Sequence, residues 1–182
     1  MVSDARRVLV AGEGALAEAL AVHYAGHGWR VERLAAADGD PLDLCVLADD
    51  WQPDLARLDG LSRNQLAASL ERITYAPFQV AATSRRRLSA ASGRLVLLSS
   101  ASARMEQPDP DGAYLDRPFR VAAHALWRCL SVEWAADGIS VTLLGLEQAV
   151  PVELERLVAA IAVQDTGKLV ELRDVLGARL GW

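Results

Sequence analysis

The sequence predicts an α/β domain in which a parallel β-sheet is doubly wound, with helices on both faces, over residues 1–182. Three observations predict it. Strand-like and helix-like segments alternate along the chain, which is the pattern of parallel strands joined by crossovers. The strand segments are continuous apolar runs such as Arg7-Val-Leu-Val-Ala11 and Leu42-Asp-Leu-Cys-Val-Leu-Ala48, as expected of strands buried on both faces. A chain of 182 residues that is 52% hydrophobic can bury one substantial core, and it contains no internal repeat or low-complexity linker that would divide it.

Each element has its own signal. Arg7–Ala11 reads as the first strand, and Gly12-Glu13-Gly14 turns the chain into a helix over roughly residues 15–25, ended by Gly26 and Gly28. Residues 30–35 read as a second strand and 42–48 as a third. About seven residues join them, where a parallel crossover normally takes a dozen or more and a helix. One helix and one strand are therefore expected to be missing after the second strand. A long helical stretch follows over residues 62–89, with Pro77 inside it as an expected kink. Gly93-Arg-Leu-Val-Leu-Leu-Ser-Ser100 is a fourth strand ending in hydroxyls. A polar loop precedes a helix that starts at Tyr114 or Pro118, runs to Ala136 and is stopped by Asp137-Gly138. A fifth strand over 139–145, a helix over 152–163 and a last strand over 168–172 complete the domain.

Gly12-x-Gly14-x-x-Ala17 falls between a strand and a helix, with the spacing of a dinucleotide fingerprint. The first Gly permits a tight turn, the second lets a pyrophosphate approach the backbone, and the small third residue lets the helix pack close to the strand. The helix N-terminus then faces the anion. Glu13 puts a negative charge inside that turn. The second strand ends without a carboxylate for a ribose, so Arg33 serves a cofactor only if its side chain points back to the turn. The alternative is a turn that simply joins strand to helix.

Composition excludes several classes. Net charge is −5, and the single basic run, Arg85-Arg86-Arg87, lies near a helix end where cations suit the dipole, so a solvated helix end is expected rather than a nucleic-acid surface. No apolar run is long enough to span a membrane, and the N-terminus lacks an apolar signal region, so a cytoplasmic protein is expected. Cys45 and Cys129 sit in apolar runs and are expected as buried free thiols. His23 and His27, one helical turn apart, are too few for a metal site.

From the fourth strand onward the chain resembles the short-chain dehydrogenase/reductase family. Gly93–Ser100 is similar to the family's strand that ends in its catalytic serine. The segment from Ala122 to Thr142, Ala-Ala-His-Ala-Leu-Trp-Arg-Cys-Leu-Ser-Val-Glu-Trp-Ala-Ala-Asp-Gly-Ile-Ser-Val-Thr, resembles the helix and strand that follow its active site. Thr166–Val170 resembles its last strand, and the closing Gly177-x-x-Leu-Gly-Trp182 is similar to the ends of small members. The resemblance implies a Rossmann-like fold shortened by the missing helix and strand, with NAD(P) as the cofactor if any is bound. It also implies Gly12, Gly14, Ala17 and Arg33 at the cofactor, and Ser100 holding the substrate oxygen. In the family a tyrosine passes the proton, and a lysine four residues later lowers the tyrosine's pKa and binds the cofactor ribose.

The chain departs from this pattern at several places. Its only lysine is Lys168. Ungapped counting back from Trp134 puts Asp116 in the tyrosine's place and Arg120 in the lysine's. Counting forward from Ser100 favours Tyr114, with Pro118 in the lysine's place. Ile73 stands where a supporting asparagine is expected. Leu47-Ala48-Asp49-Asp50 and Leu146-Glu147 replace two loop motifs that shape the cofactor groove. A guanidinium does not reproduce a compact ammonium. Arg120, His124 and Arg128 recur every four residues, and a solvated polar stripe is the expected reading. Meanwhile the two long helices, through which the family commonly pairs subunits, are retained. These readings together predict a non-catalytic subunit, forming a homodimer or a heterodimer with an active relative. The alternatives are an active NAD(P)-dependent reductase using Ser100 and Tyr114, and a pocket reused for another reaction with Asp116 or Glu147 as acid or base.

Overall fold

The computed structural model describes residues 5–48, 60–100, 116–146, 154–163 and 172–174, the last three and residues 100 and 163 in backbone only. Six strands form one parallel sheet in the order β2-β1-β3-β4-β5-β6. They are β1 (Arg7–Ala11), β2 (Arg30–Glu32), β3 (Leu44–Leu47), β4 (Arg94–Ser100), β5 (Ser140–Leu146) and β6 (Leu172–Asp174). The helices are α1 (Ala15–Gly26), α2 (Arg63–Leu70), α3 (Ala76–Ala91), α4 (Asp116–Glu133) and α5 (Leu154–Val163).

Strand alternation sorts the core into two layers. Leu9, Cys45, Leu95, Leu97, Val141 and Leu143 face one side and pack on α3 and α4 through Leu88, Trp127 and Leu130. Val8, Val10, Val46, Val96, Leu98 and Leu144 face the other and pack on α1 and α5 through Ala17, Leu20, Leu157 and Ile161. The sheet is therefore covered on both faces, as the apolar runs require.

The short crossover from β2 to β3 runs without a helix across the α3 side, where Ala35 packs on the core and Leu42 enters it. Arg87 pins it. Its guanidinium is 3% exposed and donates to both Glu32 carboxylate oxygens, at 2.7 and 2.6 Å, and through Nε to the Asp40 carbonyl at 2.7 Å. Arg86 pairs with Asp38 in the same crossover, and Arg85 pairs with Asp137 and Glu133 while lying over the Trp134 ring. The expected solvated basic end holds for Arg86 and Arg85, whose side chains are 71% and 40% exposed, and is corrected for Arg87, which is buried and ties Glu32 and Asp40 on either side of the crossover. The sheet order fits the expected deletion, because β2 and β3 flank β1 and the removed elements would have lain beyond β2.

The long helical stretch also differs from a simple proline kink. Ser62 caps it, accepting from Gln65 N while Gln65 Oε1 accepts from Ser62 N. Between α2 and α3 the residues Glu71–Tyr75 form a wide π-type turn. Pro77 follows at the start of α3 and has no N–H for the Ile73 carbonyl, so the ladder widens just before it. Other bounds shift. β2 ends at Glu32 rather than residue 35; the last strand is described over Leu172–Asp174, and residues 168–171 of its expected range lie outside the described residues. α4 ends at Glu133, and a 3-10 turn, Trp134–Asp137, leads to Gly138 at φ 75°. Cys45 is buried as expected, but Cys129 is exposed, because it lies on the side of α4 opposite Trp127 and Leu130.

Candidate functional site

Parallel strands carry their functional loops at their C-terminal ends. At that end of β1, Gly12 and Gly14 adopt φ of 127° and 91°, which side-chain-bearing residues rarely adopt, and Ala17 is fully buried where α1 meets the sheet. Glu13 is exposed in the turn. Arg33 does point back: Nη2 donates to the Gly12 carbonyl at 3.0 Å and Nη1 to Glu18 Oε2 at 2.9 Å. The glycine turn and Arg33 therefore meet at one corner.

The other cluster lies at the end of β4, under the start of α4. Alternation carries Ser99 to the same face as Leu95 and Leu97, toward α4. There His124 Nε2 is 2.8 Å from Ser99 Oγ, with His124 fully buried and Ser99 4% exposed. Burial, and then the Arg120 charge, push the His124 imidazole down to about 4, so it is neutral at physiological pH. One turn earlier, Arg120 Nη2 is 3.3 Å from Asp116 Oδ2, and Arg72 Nη2 reaches Asp116 Oδ1 at 3.1 Å. Asp116 and Arg120 are 2% and 5% exposed at the side chain, while Arg72 is 41% exposed. The π-type turn sets this up, presenting Arg72 beside Asp116 and Thr74 Oγ1 3.0 Å from the Phe119 carbonyl. Ile73, between them, is buried.

Asp116, Arg120 and His124 thus form a buried polar column along the inner face of α4. The expected solvated stripe is corrected for Arg120 and His124 and holds only for Arg128, which is exposed. The helix turns 100° per residue, so the steps of four drift slowly around it and the third member leaves the buried face. Of Ser100, only the backbone is described, paired with Leu146 in β5. Tyr114, Asp49, Asp50 and Glu147 lie outside the described residues. Sequence reasoning passed over Ser99 and Arg72. Period-two alternation from Leu95 was the available signal for Ser99, whereas nothing in the spacing marked Arg72.

What the column can do follows from its groups. A carboxylate held between two guanidiniums is a fixed acceptor, and the neutral imidazole shares a proton with a serine hydroxyl. Neither is a phenol poised to pass a proton to a carbonyl.

No protein-family model and no curated protein matches the chain by sequence. Solved structures match by shape. A protein described as a short-chain dehydrogenase/reductase of Burkholderia multivorans, with NADP bound, superposes with a TM-score of 0.78 at 14% identity, covering 98% of this chain and 100% of its own. Carbonyl reductase Sniffer of D. melanogaster gives 0.78 at 13%, with 98% and 100% covered. The NADPH-bound carbonyl reductase from chicken fatty liver gives 0.75 at 13%, with 98% and 94% covered. The chain has the fold of the short-chain dehydrogenases/reductases.

Proposed function

We propose that this protein is a non-catalytic subunit with the short-chain dehydrogenase/reductase fold, acting as a homodimer or as a stabilising partner of an active relative in the cytoplasm. The observation that carries this reading is the buried Asp116–Arg120 pair. In the ungapped correspondence these residues stand in the places of the tyrosine and the lysine, and each is committed to an ion pair. A guanidinium bound to a carboxylate does not lower the pKa of a neighbouring phenol as a close ammonium does.

The residues do not fit an intact dinucleotide. The glycine turn keeps positive φ at Gly12 and Gly14, and Gly12, Gly14, Ala17 and Arg33 are the residues that would meet a pyrophosphate half, but Arg33 is already bonded to the Gly12 carbonyl and to Glu18. They do not fit a reactive nicotinamide, whose ribose has no lysine to bind. Glu13 adds a repulsive charge at the turn.

The assembly side of the proposal rests on exposed surface. Of the six large hydrophobics exposed among the described residues, four lie on the paired long helices and the turn within them: Leu66, Leu70, Tyr75 and Val132. Cys129, Ala122 and Ala125 extend the outer face of α4. No helix among the described residues is long and apolar enough to cross a membrane.

The test is reduction of a panel of aldehydes and ketones by the purified protein with NADH or NADPH. No carbonyl-dependent oxidation of the cofactor is expected. Turnover that Ser100→Ala abolishes would overturn the proposal.

A second reading, an active NADP-dependent reductase using Ser100 and Tyr114, is favoured by Arg33 at the glycine turn, where a cation suits a 2′-phosphate. It requires that Tyr114→Phe remove activity.

A further inference from the structure

At the opposite end of the sheet, where the strands begin, a cavity of about 440 Å³ opens between the ends of α1 and α5 and the starts of β3 and β4. Its volume lies within the roughly 300–1,000 Å³ of small-molecule sites. β1 rises about 3.3 Å per residue, so this cavity and the glycine turn are separated by roughly 15 Å of sheet. It is a different place from the site already described.

Its walls combine aromatic rings with cations. Tyr24 and Trp29 meet edge to face with centroids 5.2 Å apart, and His23 and His27 stack at 4.2 Å beside them. The Arg6 guanidinium lies over the Trp29 ring, 5.5 Å from its centroid. Arg94 Nη1 donates to the Ile161 and Ala162 carbonyls at 3.0 and 2.9 Å, which ends α5 and leaves Nε and Nη2 without a protein acceptor among the described residues. Neither arginine pairs with a carboxylate among the described residues. The lining holds one acid, Asp43, whose Oδ2 already accepts the Arg7 backbone N–H at 2.7 Å.

Tyr24 adds a third feature. The residue is 5% exposed and lines the cavity. Burial raises the phenol to about 12 against the opposing Arg94 charge, so it stays protonated and able to donate.

We infer that this cavity binds a small aromatic carboxylate. The ring would lie among Tyr24, Trp29 and the apolar side chains of Leu44, Val158 and Ile161. The carboxylate would meet the Arg6 and Arg94 guanidiniums and the Tyr24 hydroxyl. Two cations against one acid, in a chain of net charge −5, make the cavity a local positive basin. A planar guanidinium fork matches a carboxylate better than it matches a neutral amide.

The test is titration of the full chain with benzoate and with indole-3-carboxylate, followed by calorimetry and by amide and indole N–H NMR shifts. Saturable binding below about 1 mM is expected for at least one of them, with the neutral carboxamide at least about tenfold weaker. Shifts should centre on Trp29 and Gly93 and spare Gly12 and Gly14. Arg94→Met and, separately, Arg6→Met should each weaken the carboxylate about tenfold. Arg94 is the residue bonded to the Ile161 and Ala162 carbonyls of α5, so the Arg6 variant decides the matter if Arg94→Met fails to fold. Absence of saturable binding by both acids, equal affinity for the carboxamide, or shifts centred on the glycine turn would overturn the inference.

Discussion

His124 Nε2 lies 2.8 Å from Ser99 Oγ in a part of the core that water does not reach, and the Arg120 guanidinium stands one turn away on the same helix face. The imidazole is therefore held neutral in the fold, at about 4, against an ordinary value of 6.5. In the unfolded chain it takes up a proton as the pH falls below about 6.5, so the unfolded state binds more protons than the folded one between 6.5 and 4. Stability from this group is complete above 6.5 and is lost as the pH falls toward 4. The loss is on the order of 3 kcal/mol at 1.36 kcal/mol per unit. Denaturant unfolding from pH 7.5 to 4.5 checks it, with His124→Gln as the comparison. The variant keeps a partner for Ser99 and should lose less stability over that range. Parallel pH profiles would rule out a buried neutral histidine.

Arg87 does for the β2–β3 crossover what a helix would otherwise do. Arg87→Met leaves the Glu32 carboxylate half-buried and unpaired and frees the Asp40 carbonyl, so it should cost roughly 3 kcal/mol. Arg87→Lys should recover part of this by restoring charge without the bidentate fork. The urea midpoint of each variant measures it. A cost within about 0.5 kcal/mol, as for ordinary surface substitutions, would mean the crossover is held by something else.

Two glycines make a paired prediction. A Cβ at Gly93 would run into the Leu42 carbonyl oxygen and lie 3.1 Å from both the Asp43 carbonyl and Leu88 Cδ2. At Gly26, the last residue of α1, a Cβ meets nothing within 4 Å. Gly93→Ala should therefore destabilise by about 2 kcal/mol or more through a forced backbone shift, whereas Gly26→Ala should be neutral or stabilising by up to about 1 kcal/mol. Thermal unfolding of the two variants is the check. A similar Tm for both would contradict the close approach of Gly93 to the start of β3.

If the outer faces of α2 and α4 pair subunits, charges placed there should separate them. Light scattering should give a mass above that of one 19.6 kDa chain for the wild type, or for its complex with a co-expressed relative. Leu70→Glu combined with Val132→Glu should bring it down to one chain. An unchanged mass would place the interface elsewhere.

The sheet was legible in the sequence because apolar runs such as Val8-Leu9-Val10 and Leu95–Leu98 admit burial on both faces and little else. The missing crossover was legible too, since too few residues separate β2 from β3. How the chain manages without it was not, because Arg87 and Glu32 are 55 positions apart and only the fold brings them together. The site was read in part. Gly12, Gly14 and Ala17 fall at the strand-to-helix turn as their spacing suggested, and Arg33, whose direction the spacing left open, points back to it. Arg120 and His124 read in sequence as part of a solvated stripe, because charged residues on a helix are usually outside, and the Arg72 partner of Asp116 comes from a π-type turn that no local pattern announces. Cys129 erred the other way: an apolar stretch around a helix is not buried all round when one face is left for a partner or for water.

The central question is whether the fold still works as a dinucleotide enzyme. Calorimetric titration of the purified protein with NADPH and NADH tests this most directly. With Glu13 in the turn, Arg33 tied to Gly12 and Glu18, and Asp116 and Arg120 paired with each other, no saturable binding is expected up to about 1 mM of either cofactor. Micromolar binding of either one would contradict the loss of cofactor chemistry and move the reading to an active reductase.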